Sequence, residues 1–293
     1  MSEVTPRDTL LHVADLHFWH VTWNPLQLLN KRALGNANVF FRRARHFAMD
    51  RAASFVDTLD AAGPKTMLFT GDFSSTSLDA EFVRARQFVD AVHARGFDIH
   101  LLPGNHDVYT FGSQRTRRFE HHFAPYLHAD GCPARVTLPG GTPMILVPTV
   151  CANWLSSRGR ISDEEIAQVR ALVDATEGPI IVAGHYPVLA RTVAYELTPQ
   201  RQLRNATALH DALGESGKEI LYIAGHVHRF SYGRDPRHRN LTHLTTGTFF
   251  GHNAAEGLSG EFCEVRVNPT GFSVIRHTFD GAWRAIAVDA KEH

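Results

Sequence analysis

Short apolar runs that break off into clusters of Gly, Asp, Asn and His recur along this chain, and they limit its fold more than any other feature. Thr9–Ala14 leads into Asp15-Leu16-His17, Lys65–Thr70 into Gly71-Asp72, and Asp98–Leu102 into Gly104-Asn105-His106-Asp107. Pro179–Ala183 leads into Gly184-His185, and Glu219–Ala224 into Gly225-His226-Val227-His228. Met144–Val150 is a further run without such a cluster. Runs this short, mostly aliphatic and often bounded by Gly or Pro, read as buried strands. Between them Arg45–Ala62, Asp79–Arg95, Ser162–Thr176 and, more weakly, Arg201–Glu215 space their apolar residues at helical intervals. Ser162-Asp163-Glu164-Glu165 predicts a capping box. Towards the C-terminus the pattern changes, and Leu241–Thr248, Glu261–Val267, Phe272–Thr278 and Trp283–Val288 read as successive strands. Alternation followed by a run of strands predicts an α/β (α+β mixed) fold, with mixed sheets flanked by helices. The polar clusters extend from residue 15 to residue 228, so residues 1–293 are read as one domain with a C-terminal run of strands at about 241–288.

Composition narrows the function classes. Hydrophobic residues at 43% and charged residues at 20% are those of a globular protein that can bury a core without staples. Thirty Lys+Arg balance thirty Asp+Glu, which argues against a dedicated nucleic-acid binder. Three cysteines without a CxxC pair predict neither a disulfide framework nor a cysteine zinc site, and they are expected to be inert and buried. No basic stretch followed by an apolar one opens the chain, and no apolar run reaches the ~20 residues of a spanning helix. A cytoplasmic protein is the expectation. The anomaly is 19 histidines, the residue that most often binds metals and shuttles protons.

The strand-end clusters organise the histidines. Open α/β sheets bind ligands at the carboxyl ends of their strands, where these clusters fall. Asp15 and His17, and again His226 and His228, are two residues apart, a spacing that shares one side on extended backbone. With His106 and Asp107 set aside, the clusters supply two Asp, one Asn and four His: Asp15, His17, Asp72, Asn105, His185, His226 and His228. This mixed oxygen and nitrogen set suits Mn, Fe or Zn. Seven ligands exceed one tetrahedral ion, and a bridging Asp72 would divide them between two ions with four each. Such a pair can share a hydroxide and clamp a phosphoryl group. His106 is then placed to protonate a leaving alkoxide, with Asp107 expected to hold its ring and favour the charged form.

The five blocks DLH, GD, GNHD, GHY and GHVH, in that order, resemble the pattern of the calcineurin-like metallophosphoesterase superfamily over about residues 9–250. The resemblance implies a double β-sandwich flanked by helices. It implies that Asp15, His17, Asp72 and His228 hold one metal, and that Asp72, Asn105, His185 and His226 hold the other. Short loops and the GNHD form of the third block look most like the bacterial class III cyclic nucleotide phosphodiesterases. The expected activity is hydrolysis of a phosphodiester, with a cyclic nucleotide as the leading candidate, by a metal-bridging hydroxide assisted by His106. The alternatives are a phosphomonoesterase or nuclease of the same superfamily, or a peripheral membrane enzyme acting on lipid phosphodiesters.

One segment falls outside the blocks. The interval from Asp15 to Asp50 holds no carboxylate but carries Lys31, Arg32, Arg42, Arg43 and Arg45 among Leu and Phe residues. It reads as a basic, apolar helical insertion at about 20–48. It could be purely structural, a cap whose Arg42, Arg43 and Arg45 attract a small phosphorylated substrate, or an element resting on a membrane.

Overall fold

The computed structural model describes residues 5–24, 32 and 49–292. Its strands are β1 (Asp8–Val13), β2 (Thr66–Phe69), β3 (Asp98–Leu101), β4 (Ala134–Thr137), β5 (Pro143–Leu146), β6 (Gly159–Arg160), β7 (Ile180–Ala183) and β8 (Leu203–Arg204). They continue with β9 (Ile220–Ala224), β10 (Ser231–Arg234), β11 (Leu241–Thr245), β12 (Glu261–Asn268), β13 (Gly271–Phe279), β14 (Trp283–Val288) and β15 (Lys291–Glu292). One sheet has the order β14-β13-β12-β1-β2-β3, and the other β15-β10-β11-β9-β7-β5-β4. In the first, β1, β2 and β3 are parallel neighbours, and β12 pairs antiparallel with β1. In the second, β5, β7, β9 and β11 run parallel. The two sheets are therefore mixed, as the sequence pattern predicts.

Alternation along the strands explains why two sheets stack. Leu10 and Leu68 face a core shared with Ile181, Leu221 and Ile223 of the other sheet. Their neighbours Leu11, Met67 and Phe69 point the opposite way, into a second core with helices α1 (Ala52–Ala61) and α2 (Asp79–His93). Ile180, Val182, Ile220 and Tyr222 point into a third core. Short parallel strands whose residues are all buried can be covered on both faces only in this way. The predicted capping box is present: Ser162 Oγ accepts from Glu165 N at the start of the helix Asp163–Asp174, and Glu165 returns to Ser162 N.

Helices α3 (Phe111–Arg115) and α4 (Arg118–Phe123) had no periodic signal, since five or six residues span less than two turns. They precede α5 (Asp163–Asp174) and α6 (Ala206–Gly214), which with the third core cover the second sheet. The predicted run Met144–Val150 is strand only to Leu146. Among the described residues no helix is long and apolar enough to cross a membrane. Cysteine burial differs from expectation: Cys263 is buried, Cys151 is half-buried and Cys132 is exposed, and all three are free.

Part of the histidine excess is structural. Asp235 Oδ2 accepts from His210 Nε2 of α6 at 2.5 Å and from His243 Nε2 of β11 at 2.7 Å. Its Oδ1 accepts from Arg237 N and His238 N, both at 2.8 Å. Burial alone would raise this carboxyl, but the two imidazoles and two backbone amides hold it far below its ordinary range. The spacing is that of direct hydrogen bonds. Asp235→Ala leaves buried donors unmet and should cost roughly 3–5 kcal/mol, read as a drop in the urea midpoint of unfolding.

Candidate metal centre and active site

The carboxyl ends of β1, β2 and β3 in one sheet and of β7 and β9 in the other open at one place, and each delivers one of the five blocks. The backbone there is not extended, as the two-residue spacings had suggested. Asp15, His17, Asp72, His226 and His228 all have positive φ, between 50° and 69°, and they are five of the eight non-glycine residues with that conformation among the described residues. Left-handed backbone costs a non-glycine residue about 1–3 kcal/mol and persists only where surroundings enforce it. It turns the chain back at each strand end so that side chains from separate strands meet. Two glycines make the approach possible. A Cβ on Gly104 would strike the Asp72 carboxylate and backbone N, and one on Gly71 would strike the Gly104 backbone.

All seven predicted donors converge. Asp15, His17, Asp72 and His228 offer ligand atoms within 4.8 Å of one another. His17 Nε2 lies 3.0 Å from His228 Nε2 and 3.6 Å from Asp72 Oδ2, while His228 Nε2 lies 3.6 Å from Asp15 Oδ1. On the other side His185 Nε2 is 3.6 Å from Asp72 Oδ1. Asn105 Oδ1 is 3.0 Å from His185 Nε2 and 2.9 Å from His226 Nδ1. The two oxygens of Asp72 thus face different donor sets.

Hydrogen bonds behind the donors fix two tautomers. A carbonyl can only accept, so His185 Nδ1–H donates to Thr70 O at 2.7 Å and His226 Nε2–H to Arg201 O at 3.0 Å. Burial pushes both imidazoles below their ordinary pKa, and for His226 the neighbouring His185 and Arg201 add to it. Both rings are therefore neutral, and their remaining nitrogens point lone pairs at Asn105 Oδ1. For Asp15, burial acts upward, but His228, His185 and the His226 amide outweigh it and keep the carboxyl low. An inward-facing set of lone pairs and carboxylates is chemistry that a cation completes. The separations also match donors sharing an ion at ~2.0–2.2 Å.

His106 lines the same cavity of about 360 Å³. Its amide donates to Asp72 Oδ1 at 2.8 Å, and its Nδ1–H donates to Ser75 O at 2.6 Å. Asp107 does not hold this ring, contrary to the sequence expectation. Its carboxylate accepts from Phe73 N, Ser74 N, Ser74 Oγ and Gly104 N at 2.8–3.1 Å. These bonds tie the Gly71-Asp72 loop to the Gly104-Asn105-His106-Asp107 loop, so Asp107 positions the site from behind. The reason is local: successive residues on a turn point apart, and a backbone carbonyl from a different loop reaches Nδ1 first. Burial raises the Asp107 carboxyl to about 6 in spite of its donors.

Sequence reasoning passed over the run Ser74-Ser75-Thr76-Ser77. Ser75 Oγ donates to His17 O at 3.1 Å, and Ser77 Oγ to His106 O at 2.7 Å and Asp107 O at 2.9 Å. Four consecutive hydroxyls after Gly71-Asp72-Phe73 were the available signal. Arg201, whose carbonyl orients His226, was also missed. Arg42, Arg43 and Arg45 lie outside the described residues, as does most of the predicted 20–48 insertion. Within it, Arg32 is buried and donates to Thr76 O at 2.8 Å and Ser77 O at 2.9 Å.

Residues 9–230 match the family described as Calcineurin-like phosphoesterase, and the chain belongs to that family. It is thereby a metallophosphoesterase, of a superfamily that works through a dimetal centre. No curated protein sequence matches it significantly. Among solved structures it is similar to a dimetal phosphatase from Danio rerio, at 14% identity and a TM-score of 0.60, covering 97% of this chain and all of that one. It is similar to a purple acid phosphatase from yellow lupin (Lupinus luteus) seeds, at 9% identity and a TM-score of 0.62, covering 99% of this chain and 55% of that one. A 5'-nucleotidase from Candida albicans follows at 15% identity and a TM-score of 0.52, with 94% and 52% covered. The chain spans about half the length of the last two. At these identities the likeness is one of fold.

The brace around Ser74–Ser77 includes one strained charge. Glu81 is fully buried and accepts from Thr76 N, Leu78 N and His20 N at 2.8–3.2 Å. Burial still raises its carboxyl from 4.5 to about 7. An acid with a raised folded-state pKa contributes stability that is present below its unfolded pKa and lost as pH rises through the folded one. Stability should therefore fall between about pH 4.5 and about pH 7. Glu81→Gln should flatten that fall, measured as melting temperature against pH for the two proteins.

Proposed function

We propose that the chain is a phosphodiesterase using two transition-metal ions, with Mn, Fe and Zn as the candidates that suit its donors. The observation that carries this is Asp72, whose oxygens face two separate donor sets at 3.6 Å each, beside the His106 cavity. When bound, the ions supply an activated water and neutralise charge on the phosphoryl group. The protein's own residues do the rest. Asp72 and Asn105 fix where the two donor sets meet. Thr70 O and Arg201 O keep His185 and His226 in the tautomers that face the centre. Ser75 O anchors His106 Nδ1–H, so Nε2 is the atom that gives a proton to the leaving oxygen.

A diester is favoured because it carries less charge than a monoester. Among the described residues Arg201 is the Lys or Arg that lines the cavity, and a dianion would call for more. A cyclic nucleotide remains the leading candidate through the resemblance of the five blocks to class III cyclic nucleotide phosphodiesterases. The phosphatase and nucleotidase neighbours favour the alternative, a phosphomonoester. An assay of manganese-loaded protein on a bis-aryl phosphodiester, an aryl phosphomonoester and cyclic nucleotides decides between them, and faster monoester turnover overturns the diester reading. We also infer a cytoplasmic enzyme, supported by three free cysteines.

Two variants test the assignments. Asp72→Asn removes charge facing both donor sets, so elemental analysis should find metal per chain falling at both. Loss of a single ion would mean that Asp72 serves one set only. His106→Ala should retain both ions and lower kcat by ~10²–10⁴-fold on an alkyl leaving group. The loss should be smaller on an aryl leaving group, which needs less protonation.

A further inference from the structure

The cavity has two unlike walls. One carries Asp72, Asn105, His106, His226 and His228, and the other is the loop 151–157. At the tip of that loop Trp154 is 72% exposed and Leu155 90% exposed. The Trp154 ring packs at 5.4 Å against Phe111, itself 47% exposed. These are three of the large apolar side chains that the described residues leave in water, and two of them line the cavity that holds the proposed catalytic groups. The loop is braced on both sides of its tip. Ala152 N donates to Gln114 Oε1 at 2.8 Å, Asn153 Nδ2 to Arg158 O at 2.7 Å, and Ser157 N to Gln200 O at 3.1 Å. Tyr186 Oη also donates to Ser157 O. A loop fixed at its base presents its tip in a defined place, so the exposed indole is a built surface.

We propose that Trp154, backed by Phe111, is a stacking platform for a nucleobase carried by the phosphoester, which makes nucleotides the substrate class of this site. The inference rests on the phosphoesterase reading above. The chemistry of the wall selects the occupant. A flat indole face matches a flat π-system, and stacking of a base on an aromatic side chain is tolerant of base identity. Beside it Asn153, Ser156 and Ser157 line the same cavity and offer polar groups to the edges of a base or to sugar hydroxyls. An acyl chain would use none of these. The volume of about 360 Å³ is at the small-ligand end of known sites, as a mononucleotide requires.

The test compares two ligands that share a sugar phosphate and differ by the base. Adenosine 5'-monophosphate and ribose 5-phosphate are titrated calorimetrically into manganese-loaded protein, wild type, Trp154→Ala and Trp154→Phe. The nucleotide should bind wild type roughly 5- to 100-fold more tightly than ribose 5-phosphate, and quench indole fluorescence. Trp154→Ala should bring the two affinities together, and Trp154→Phe should keep most of the ratio. Equal affinities in wild type, failure of both ligands to bind, or a ratio that survives Trp154→Ala overturns the platform. Binding to anionic phosphatidylserine vesicles that Trp154→Ala abolishes, with no base preference, assigns the loop to a lipid surface instead. Hydrolysis of the bis-aryl diester is scored in parallel. If it persists without base preference, the phosphodiesterase reading stands and the platform falls; base preference without hydrolysis leaves the platform and removes the reaction.

Discussion

Asp72 stands where the strand ends of two sheets meet, with one carboxylate oxygen directed at each of two donor groups. His185 and His226 are held in tautomers that present lone pairs inward, and Asp15 stays ionised among them. Without a cation such a convergence is repulsive, because lone pair faces lone pair at about 3 Å. The fold enforces it through left-handed turns at Asp15, His17, Asp72, His226 and His228. Each is an unfavourable local conformation held by hydrogen bonds and packing elsewhere. The rest of the structure can be understood as what keeps those five turns in place.

Most of that support is polar and lies just behind the donors. Asp107 gathers amides from two loops, and Ser74–Ser77 stitches the first, second and third blocks together. Glu81 and Arg32 hold the hydroxyl run from its far side, one through backbone amides and the other through backbone carbonyls. A buried carboxylate surrounded by amide donors is rigid because each bond is short and directional, and because leaving any of them unmet in a dry interior is costly. The Asp235 cluster has the same ingredients, histidine and aspartate, but its atoms are already in direct hydrogen-bond contact. What distinguishes the two is where the ring protons go: His210 and His243 donate theirs to Asp235, whereas His185 and His226 give theirs to backbone carbonyls behind the centre.

The chemistry of the site divides by distance from Asp72. Near it every group is polar and fixed, which suits a phosphoryl centre whose identity does not vary. Farther out, the 151–157 loop carries Trp154 and Leu155 into water on a braced base, and selectivity for what the phosphate carries belongs there. A phosphoesterase can exchange such a loop without disturbing the donors, since no residue of its tip takes part in the turns.

The sequence by itself determined most of the strand and helix alternation and the seven residues that converge. These depend on local signals: short aliphatic runs, glycine at strand ends, and Asp, Asn and His in fixed blocks. It also indicated the cap of the helix at Asp163, where Ser162 and Glu165 are three residues apart. What it could not hold was the partner of any side chain that reaches across loops. Asp107 and His106 are adjacent in sequence, yet one binds amides of Phe73 and Ser74 and the other a carbonyl of Ser75, because a turn sends neighbours in different directions. The left-handed backbone at the donors was hidden for a related reason, since the enrichment of Asp and His in that conformation is too weak to mark single positions and the surrounding contacts impose it. Arg201, from a segment that reads as the start of a helix, enters the site through its carbonyl, an atom every residue has. Trp154 follows the same logic, for exposure beside a cavity exists only once distant strands have closed around it.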